Sequence, residues 1–261
     1  MNNIEHLNIE ITKNCNQNCF YCFNDSGIVN SNKKLQTSKW IEIMKLLKDI
    51  GLKSVHFTGG EPFVHPDIIQ ILKGSLQLKL STSILSNGYK LKEYVEKFPR
   101  ILSKLSVAQI SLDATRPDIH NYRRGYKNAW QDAIDAIFAL DSLNIPVEIS
   151  ATIDNNTLNE IKYLVEFART NNFKLVIRPL INTGRAIKLL NDSSLNEKIE
   201  NELTKLDSSH KVTIVKDRFK YLSFDTLQKK YLSKESCSYT TINEFNVIKN
   251  LSKYVDISSV I

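Results

Sequence analysis

Three of the four cysteines in this 261-residue chain fall within eight residues, Cys15-Asn-Gln-Asn-Cys19-Phe-Tyr-Cys22. Thiolates at C-x3-C-x2-C spacing on a short loop can converge on one metal centre. Iron–sulfur clusters are held by such thiolates, and a cubane has four irons, so three ligands leave one iron open to a non-protein group. A structural zinc would instead want a fourth donor to close its tetrahedron. His6 and His56 are the donors at hand, and neither sits at finger-like spacing. Glycine is scarce, eight in all, so its placement carries information. In Gly59-Gly60-Glu61-Pro62 two adjacent glycines let backbone approach a ligand closely or take positive φ. The same run also suits a tight turn into a helix, with Pro62 near its start. Ser86-Asn87-Gly88 is turn chemistry in its own right. Ser111-Leu112-Asp113 offers a carboxylate that can cap the following loop. In Arg123-Arg124-Gly125 a guanidinium fork could hold two carboxylate oxygens, or the pair could form a solvated basic turn.

The elements that must position these groups alternate. Leu7–Thr12, Ser54–Thr58, Leu78–Leu85, Leu105–Leu112, Val147–Ile153 and Lys174–Leu180 read as strands. Between and after them, 37–50, 65–72, 91–98, 128–143, 157–170 and 195–206 read as helices, with Thr37 as the cap of the first. Arg123, Arg124 and Gly125 fall in a stretch that reads as polar loop. Repeated strand–helix units imply a parallel sheet with right-handed crossovers. The fold class is therefore α/β, a partial (β/α)6 barrel of the TIM type with a short C-terminal extension. After residue 210 the rhythm weakens: 211–215 reads as a strand and 221–232 as a helix. The expected division is a core domain over residues 1–210 and a short segment over 211–261. Each of the motifs above closes a predicted strand or follows it directly. That is the end where such barrels build active sites from successive βα loops.

Composition is ordinary for a globular chain, 42% hydrophobic and 24% charged, with a net charge of +7. The lysines are spread along the chain, so no nucleic-acid stripe is read. No apolar run approaches the ~20 residues of a membrane span, and no secretory signal is read at the N-terminus. The expected location is the cytoplasm, where closely spaced cysteines are metal ligands rather than disulfides.

With these motifs the chain resembles the radical S-adenosylmethionine (radical SAM) superfamily, whose signature is this cysteine spacing with an aromatic, here Tyr21, before the last Cys. The resemblance implies a [4Fe–4S] cluster on Cys15, Cys19 and Cys22 and S-adenosyl-L-methionine on the open iron. It implies that Gly59, Gly60 and Glu61 lie against the methionine amino group, with Ser86 and Asn87 near the cofactor. Ser111 or Asp113 would hydrogen-bond its ribose or methionine part, Arg124 (Arg123 as the fallback) would pair with its carboxylate, and Thr152 and Ile153 would line the adenine site. It further implies reductive cleavage to a 5′-deoxyadenosyl radical that abstracts hydrogen from a peptide or small-molecule substrate, as in a maturase or epimerase. An electron donor such as flavodoxin or ferredoxin would be the partner, with no nucleic acid and no membrane. Gly184-Arg185-Ala186 is similar to a run in peptide-modifying relatives, many of which carry a C-terminal extension with auxiliary clusters. Here only Cys237 stands in that region, so the extension reads as shortened and vestigial. Cys237 is then either a hydrogen-atom donor to a carbon radical or a small buried hydrophobe. The alternatives to the main reading are a zinc-binding protein without catalysis and a catalytically degenerate paralogue that binds S-adenosylmethionine.

Overall fold

The computed structural model describes residues 5–28, 35–189, 192–206, 210–217, 220–225, 230–236 and 239–243, with side chains to residue 215. In chain order the elements are β1 (His6–Glu10), α1 (Thr37–Asp49), β2 (Ser54–Thr58), α2 (Ile68–Gln77), β3 (Ser81–Ser86), α3 (Leu91–Lys97), α4 (Pro99–Leu102) and β4 (Val107–Ser111). They continue with α5 (Pro117–Arg124), α6 (Ala129–Asp141), β5 (Val147–Ile153), α7 (Ile161–Thr170), β6 (Lys174–Pro179), α8 (Leu195–Thr204), β7 (Lys211–Asp217), β8 (Lys220–Asp225), β9 (Lys230–Ser236) and β10 (Tyr239–Asn243). One ten-stranded sheet runs β10-β1-β2-β3-β4-β5-β6-β7-β8-β9. β1 to β7 pair in parallel, each with the next, as strand–helix repeats require. β10 extends the other edge, parallel to β1. β8 and β9 join antiparallel beyond β7. Among the described residues β9 and β10 do not pair, so the sheet is an open, partial barrel.

Strand alternation divides the molecule into two environments. Leu7, Ile9, Val55, Phe57, Ile84, Ala108, Ile110, Ile149, Leu175 and Ile177 face outward and are fully buried with Trp40, Ile43 and Met44 of α1, Ile71 and Leu72 of α2 and the apolar stripes of α6 and α7. Their neighbours face the other way. Asn8, Glu10, His56, Ser83, Gln109, Ser111, Ser150, Thr152 and Arg178 line a cavity of about 590 Å³ on the concave side. Barrels of this type usually pack branched apolar residues there. This one keeps its interior polar and open, and its helices carry the core.

Three sequence expectations change. Residues 221–232 were expected to be helical but supply parts of two strands, β8 and β9. Val212 pairs with Phe224 and Ile214 with Leu222, so the free edge of β7 captures an aromatic-rich stretch whose helical pattern was weak. The stretch before Gly125, expected as loop, is the helix α5. It carries the expected signals: Pro117 in its first turn, Asp118 behind it, two arginines in its last turn and Gly125 in the left-handed conformation as its cap. Its low apolar content hid the periodicity. Thr37 does not cap α1; Gln36 occupies that place without a side-chain bond. In addition β7 pairs with β6 through Leu175–Val212 and Ile177–Ile214, so the segment after residue 210 opens with a strand of the core sheet.

Two adjacent residues of β1 test the alternation. Ile9→Ala opens a hole under the helices and is expected to cost about 2–5 kcal/mol. Asn8→Ala removes a side chain from the cavity wall and is expected to cost about 0.5 kcal/mol or less. Chemical denaturation of both variants checks the difference, and equal losses would reverse the assignment of faces.

Candidate functional site

The cysteine loop follows β1 and is tied down along its length. Cys15 N–H donates to Gly27 O (3.0 Å) and Gly27 N–H to Lys13 O (3.2 Å), which closes the loop on itself. Asn18 N–H donates to Arg124 O (3.0 Å), tying it to the end of α5. Cys15, Cys19 and Cys22 all line the mouth of the cavity, together with Tyr21, Gly59, Gly60, Ser86, Asn87, Ser111, Arg124 and Thr152. The structure thus gathers residues from the ends of five strands and one helix onto a single wall. Asp113, Glu61 and Ile153 are the three expected contacts that it does not place there. Each is buried just behind that wall.

Asp113 is completely buried and its carboxylate is fully engaged. Oδ1 accepts from Arg124 Nη2 (2.8 Å) and from the Thr152 backbone N–H (2.9 Å). Oδ2 accepts from the Tyr21 hydroxyl and lies 3.6 Å from Arg123 Nε. Burial pushes this carboxyl up, but Arg124 and then Arg123 pull it down further, to about 2. It is therefore ionised at neutral pH. Its oxygens hold Tyr21, Arg124 and the backbone of β5 at Thr152. The Asp113 N–H donates to His120 Nδ1 (3.1 Å), and His120 is held neutral, its pKa lowered to about 3 by burial and then by Arg124.

Of the two arginines the structure separates the roles. Arg123 is buried, donates to Asp154 Oδ2 (2.7 Å) and Thr152 O (3.0 Å), and does not line the cavity. Its guanidinium carbon lies 4.7 Å from the centre of the Tyr21 ring, within cation–π range. Arg124 does line the cavity, faces Cys19, and has an Nε without a hydrogen-bond partner among the described residues. Neither is the solvated basic turn that the sequence also allowed.

Glu61 does for the glycine loop what Asp113 does for Tyr21. Oε1 accepts from the Phe63 N–H (3.0 Å) and the Ser86 hydroxyl (2.8 Å), and Oε2 from the Asn87 N–H (2.7 Å). Burial raises its pKa to about 7 against those three hydrogen bonds. Asn87, so fixed, points Nδ2 at Asn16 Oδ1 (2.9 Å) and at Cys15 Sγ (3.7 Å). Gly60 was expected to be small so that backbone could meet a ligand. A Cβ there would also collide with the Asn14 carbonyl of the cysteine loop. Ile153 is wholly buried in the core and does not line the cavity; Thr152 beside it does. Cys237 lies outside the described residues.

The donor set fits an iron–sulfur cluster with an open iron. Burial, and then the Glu61 charge, push the Cys15 thiol up to about 12, and the other two thiols push it the same way because they are close. Burial likewise raises Cys19, against the nearby Arg124. Sulfurs so placed, Cys15 and Cys19, are thiolates only with a cationic centre beside them. Donors stand ready around them: Gln17 N–H on Cys15 Sγ (3.4 Å) and Ser26 N–H on Cys22 Sγ (3.3 Å). Buried polar atoms of Asn16, Gln17, Ser26 and Arg124 have no partner among the described residues. Among the described residues neither histidine considered for zinc is left to serve as its fourth ligand. His6 bonds Ser54 and His56 bonds Ser83, each across to the neighbouring strand.

Comparison with known proteins bears on this arrangement. A family model described as the Radical SAM superfamily matches residues 9–168. The chain is 26% identical over 161 residues to a PqqA peptide cyclase of Bradyrhizobium diazoefficiens, covering 61% of this chain and 42% of that one. It is 26% identical over 252 residues to a probable GTP 3′,8-cyclase of Methanococcus aeolicus, covering 91% and 81%. Among solved structures, Streptococcus suis SuiB bound to S-adenosylmethionine superposes with a TM-score of 0.70 at 20% identity, over 93% of this chain and 59% of that one; this likeness is one of fold. The chain spans about two fifths of the length of the peptide cyclase. No helix among the described residues is long and apolar enough to cross a membrane.

The Asp113 network is testable by itself. Asp113→Asn leaves two buried guanidinium groups short of their countercharge and is expected to cost about 3–5 kcal/mol of folding stability at pH 7. A carboxyl with a depressed folded pKa adds stability above its unfolded value of about 4 and loses it as pH falls through about 2. The gap between wild type and variant in urea unfolding should therefore narrow below about pH 4. A gap that stayed constant to pH 2 would show that the charge of Asp113 is not what matters.

Proposed function

The chain belongs to the radical SAM superfamily, whose members use a [4Fe–4S] cluster and S-adenosylmethionine, and from that premise we propose that it is a radical SAM enzyme modifying a peptide. The observation that carries this is the convergence of Cys15, Cys19, Cys22, the Gly59–Gly60 backbone and Arg124 at the mouth of one polar cavity. Cys15, Cys19 and Cys22 would hold the cluster. When bound, cluster and S-adenosylmethionine supply a one-electron cleavage that yields a hydrogen-abstracting radical.

The chain's own residues do the rest. Arg124, already oriented by Asp113, offers its fork to the methionine carboxylate, and Arg123 holds Asp113 and Tyr21 in place behind it. The Gly59–Gly60 backbone and the Ser86–Asn87 turn form the adjoining wall, locked together by Glu61. Tyr21 presents its ring to the cavity with its hydroxyl fixed from behind. Ser111 and Thr152 supply short polar side chains on the remaining side, the place for the ribose and adenine. Below them the polar interior, with His56, Gln109, Ser150 and Arg178, receives the substrate group to be modified. Gln109 donates to Glu148 (2.6 Å) and accepts from Arg178 (2.9 Å), so this floor is a preset hydrogen-bonding surface.

A peptide substrate is supported by the likeness to the PqqA peptide cyclase. A small polar metabolite is the second reading, favoured by the length match with the probable GTP 3′,8-cyclase. Flavodoxin or ferredoxin would supply the electron, and Cys237 stays a proposed hydrogen donor for an epimerisation.

Anaerobically reconstituted protein is expected to bind about four irons per chain. With reductant it should release 5′-deoxyadenosine and methionine from S-adenosylmethionine. Cys19→Ala is expected to abolish both cluster and cleavage. Arg124→Ala should weaken S-adenosylmethionine binding by about 1.5–3 kcal/mol, the value of a charge-assisted bond. Full cleavage by Cys19→Ala, or zinc with no iron in the wild type, would contradict the reading. Adding short candidate peptides and, separately, nucleotides, and following which one raises 5′-deoxyadenosine output, separates the two substrate classes.

A further inference from the structure

Gly184-Arg185-Ala186 lies in a short 3-10 turn between β6 and α8, some 160 residues from the cysteine loop in sequence and against it in space. The Arg185 N–H donates to Cys22 O (2.9 Å). Its side chain spans the loop: Nε donates to Cys19 O (2.8 Å), and Nη1 to Ser26 O (2.7 Å) and Asp25 Oδ1 (3.2 Å). Gly184 has φ +58, and a Cβ there would run into the carbonyls of Cys22 and Phe23. Ala186 is fully buried in a small apolar cluster with Cys19 and Tyr21. All three residues of the run therefore serve one contact. The backbone passes close enough only as glycine, the guanidinium binds carbonyls from Cys19 to Ser26, and a methyl group fills the space behind Cys19.

The carbonyls drawn towards Arg185 leave amide N–H groups for the sulfurs. Ser26 is the clearest case, with its carbonyl on Arg185 and its N–H on Cys22 Sγ (3.3 Å). We propose that Arg185 is a positioning residue for the cluster, fixing the Cys19–Ser26 backbone so that the thiolates keep their spacing and Cys22 keeps its N–H···S bond. This rests on the reading that the three cysteines hold a cluster. Two consequences follow. Loss of the clamp frees the loop and speeds loss of iron, as removal of groups that orient metal ligands does. Loss of an N–H···S bond also lowers the reduction potential, because that bond stabilises the more negative, reduced cluster.

The test uses reconstituted wild type, Arg185→Ala, Arg185→Lys and Asp25→Asn. It follows iron release to a chelator and the midpoint potential by anaerobic titration, with thermal unfolding to confirm folding. Asp25→Asn removes only the negative charge of the exposed partner of Arg185 and should match wild type. Arg185→Ala should release iron roughly 10–100-fold faster and titrate at a lower potential. Arg185→Lys keeps charge and approximate length but has no fork to reach two carbonyls, so it should also release iron faster; it carries the test if the alanine variant does not fold. Wild-type release and potential in Arg185→Ala would overturn the proposal, as would wild-type behaviour in Arg185→Lys. A wild type that takes up no iron would instead overturn the cluster reading on which it rests.

Discussion

One buried carboxylate holds the site together. Asp113 leaves the end of β4 with no access to solvent, and its two oxygens reach the cysteine loop through Tyr21, the end of α5 through Arg124 and Arg123, and β5 through the Thr152 N–H. A desolvated charge is costly unless it is paired and hydrogen-bonded, and here three hydrogen bonds and two guanidinium groups meet it. The same cost makes the arrangement specific: moving any one of these segments leaves a buried ion without its complement. The two arginines are thereby divided. One becomes a brace between Asp113, Asp154 and Tyr21, and the other is aimed into the cavity with donors to offer.

The second constraint is backbone contact with the cysteine loop. That loop has little regular structure of its own, so its shape is imposed by neighbours. Gly60 meets it from the β2 exit and Gly184 from the β6 exit, each at a separation no side chain allows. The Glu61 N–H, on Asn14 O (2.9 Å), and the Arg185 side chain then fasten the same two approaches with hydrogen bonds. The glycine runs are thus needed by the protein's own packing before any cofactor arrives, and a cofactor finds a wall already built. Such preorganisation is what lets a site of this kind place a reactive group without paying for reordering at each turnover.

Much of this was legible in the sequence. Alternation in Leu7–Thr12, Ser54–Thr58 and Val147–Ile153 located the strands, and the position of each motif at a strand end located the site. The cysteine spacing marked a metal-binding loop, and the resemblance to a known family implied its chemistry. What could not be read were partners far apart in sequence: Tyr21 with Asp113, Arg185 with Cys19, and Glu61 with Asn87 are tertiary hydrogen bonds with no local signature. For that reason the burial of Asp113 and Glu61 behind the cavity wall had no sign in the sequence. α5 was missed because its eight residues contain few apolar side chains, although its Pro, Asp and Gly marked both ends. The strands β8 and β9 were missed because their order depends on an edge that only the folded sheet provides.

The central claim is that this cavity holds a cubane with one iron left open and aimed at S-adenosylmethionine. Mössbauer spectroscopy of iron-reconstituted protein addresses it directly. On adding S-adenosylmethionine, the signal of about one iron in four should change while the others keep tetrahedral sulfur parameters. A spectrum unaltered by S-adenosylmethionine, or one in which all irons respond alike, would contradict the account.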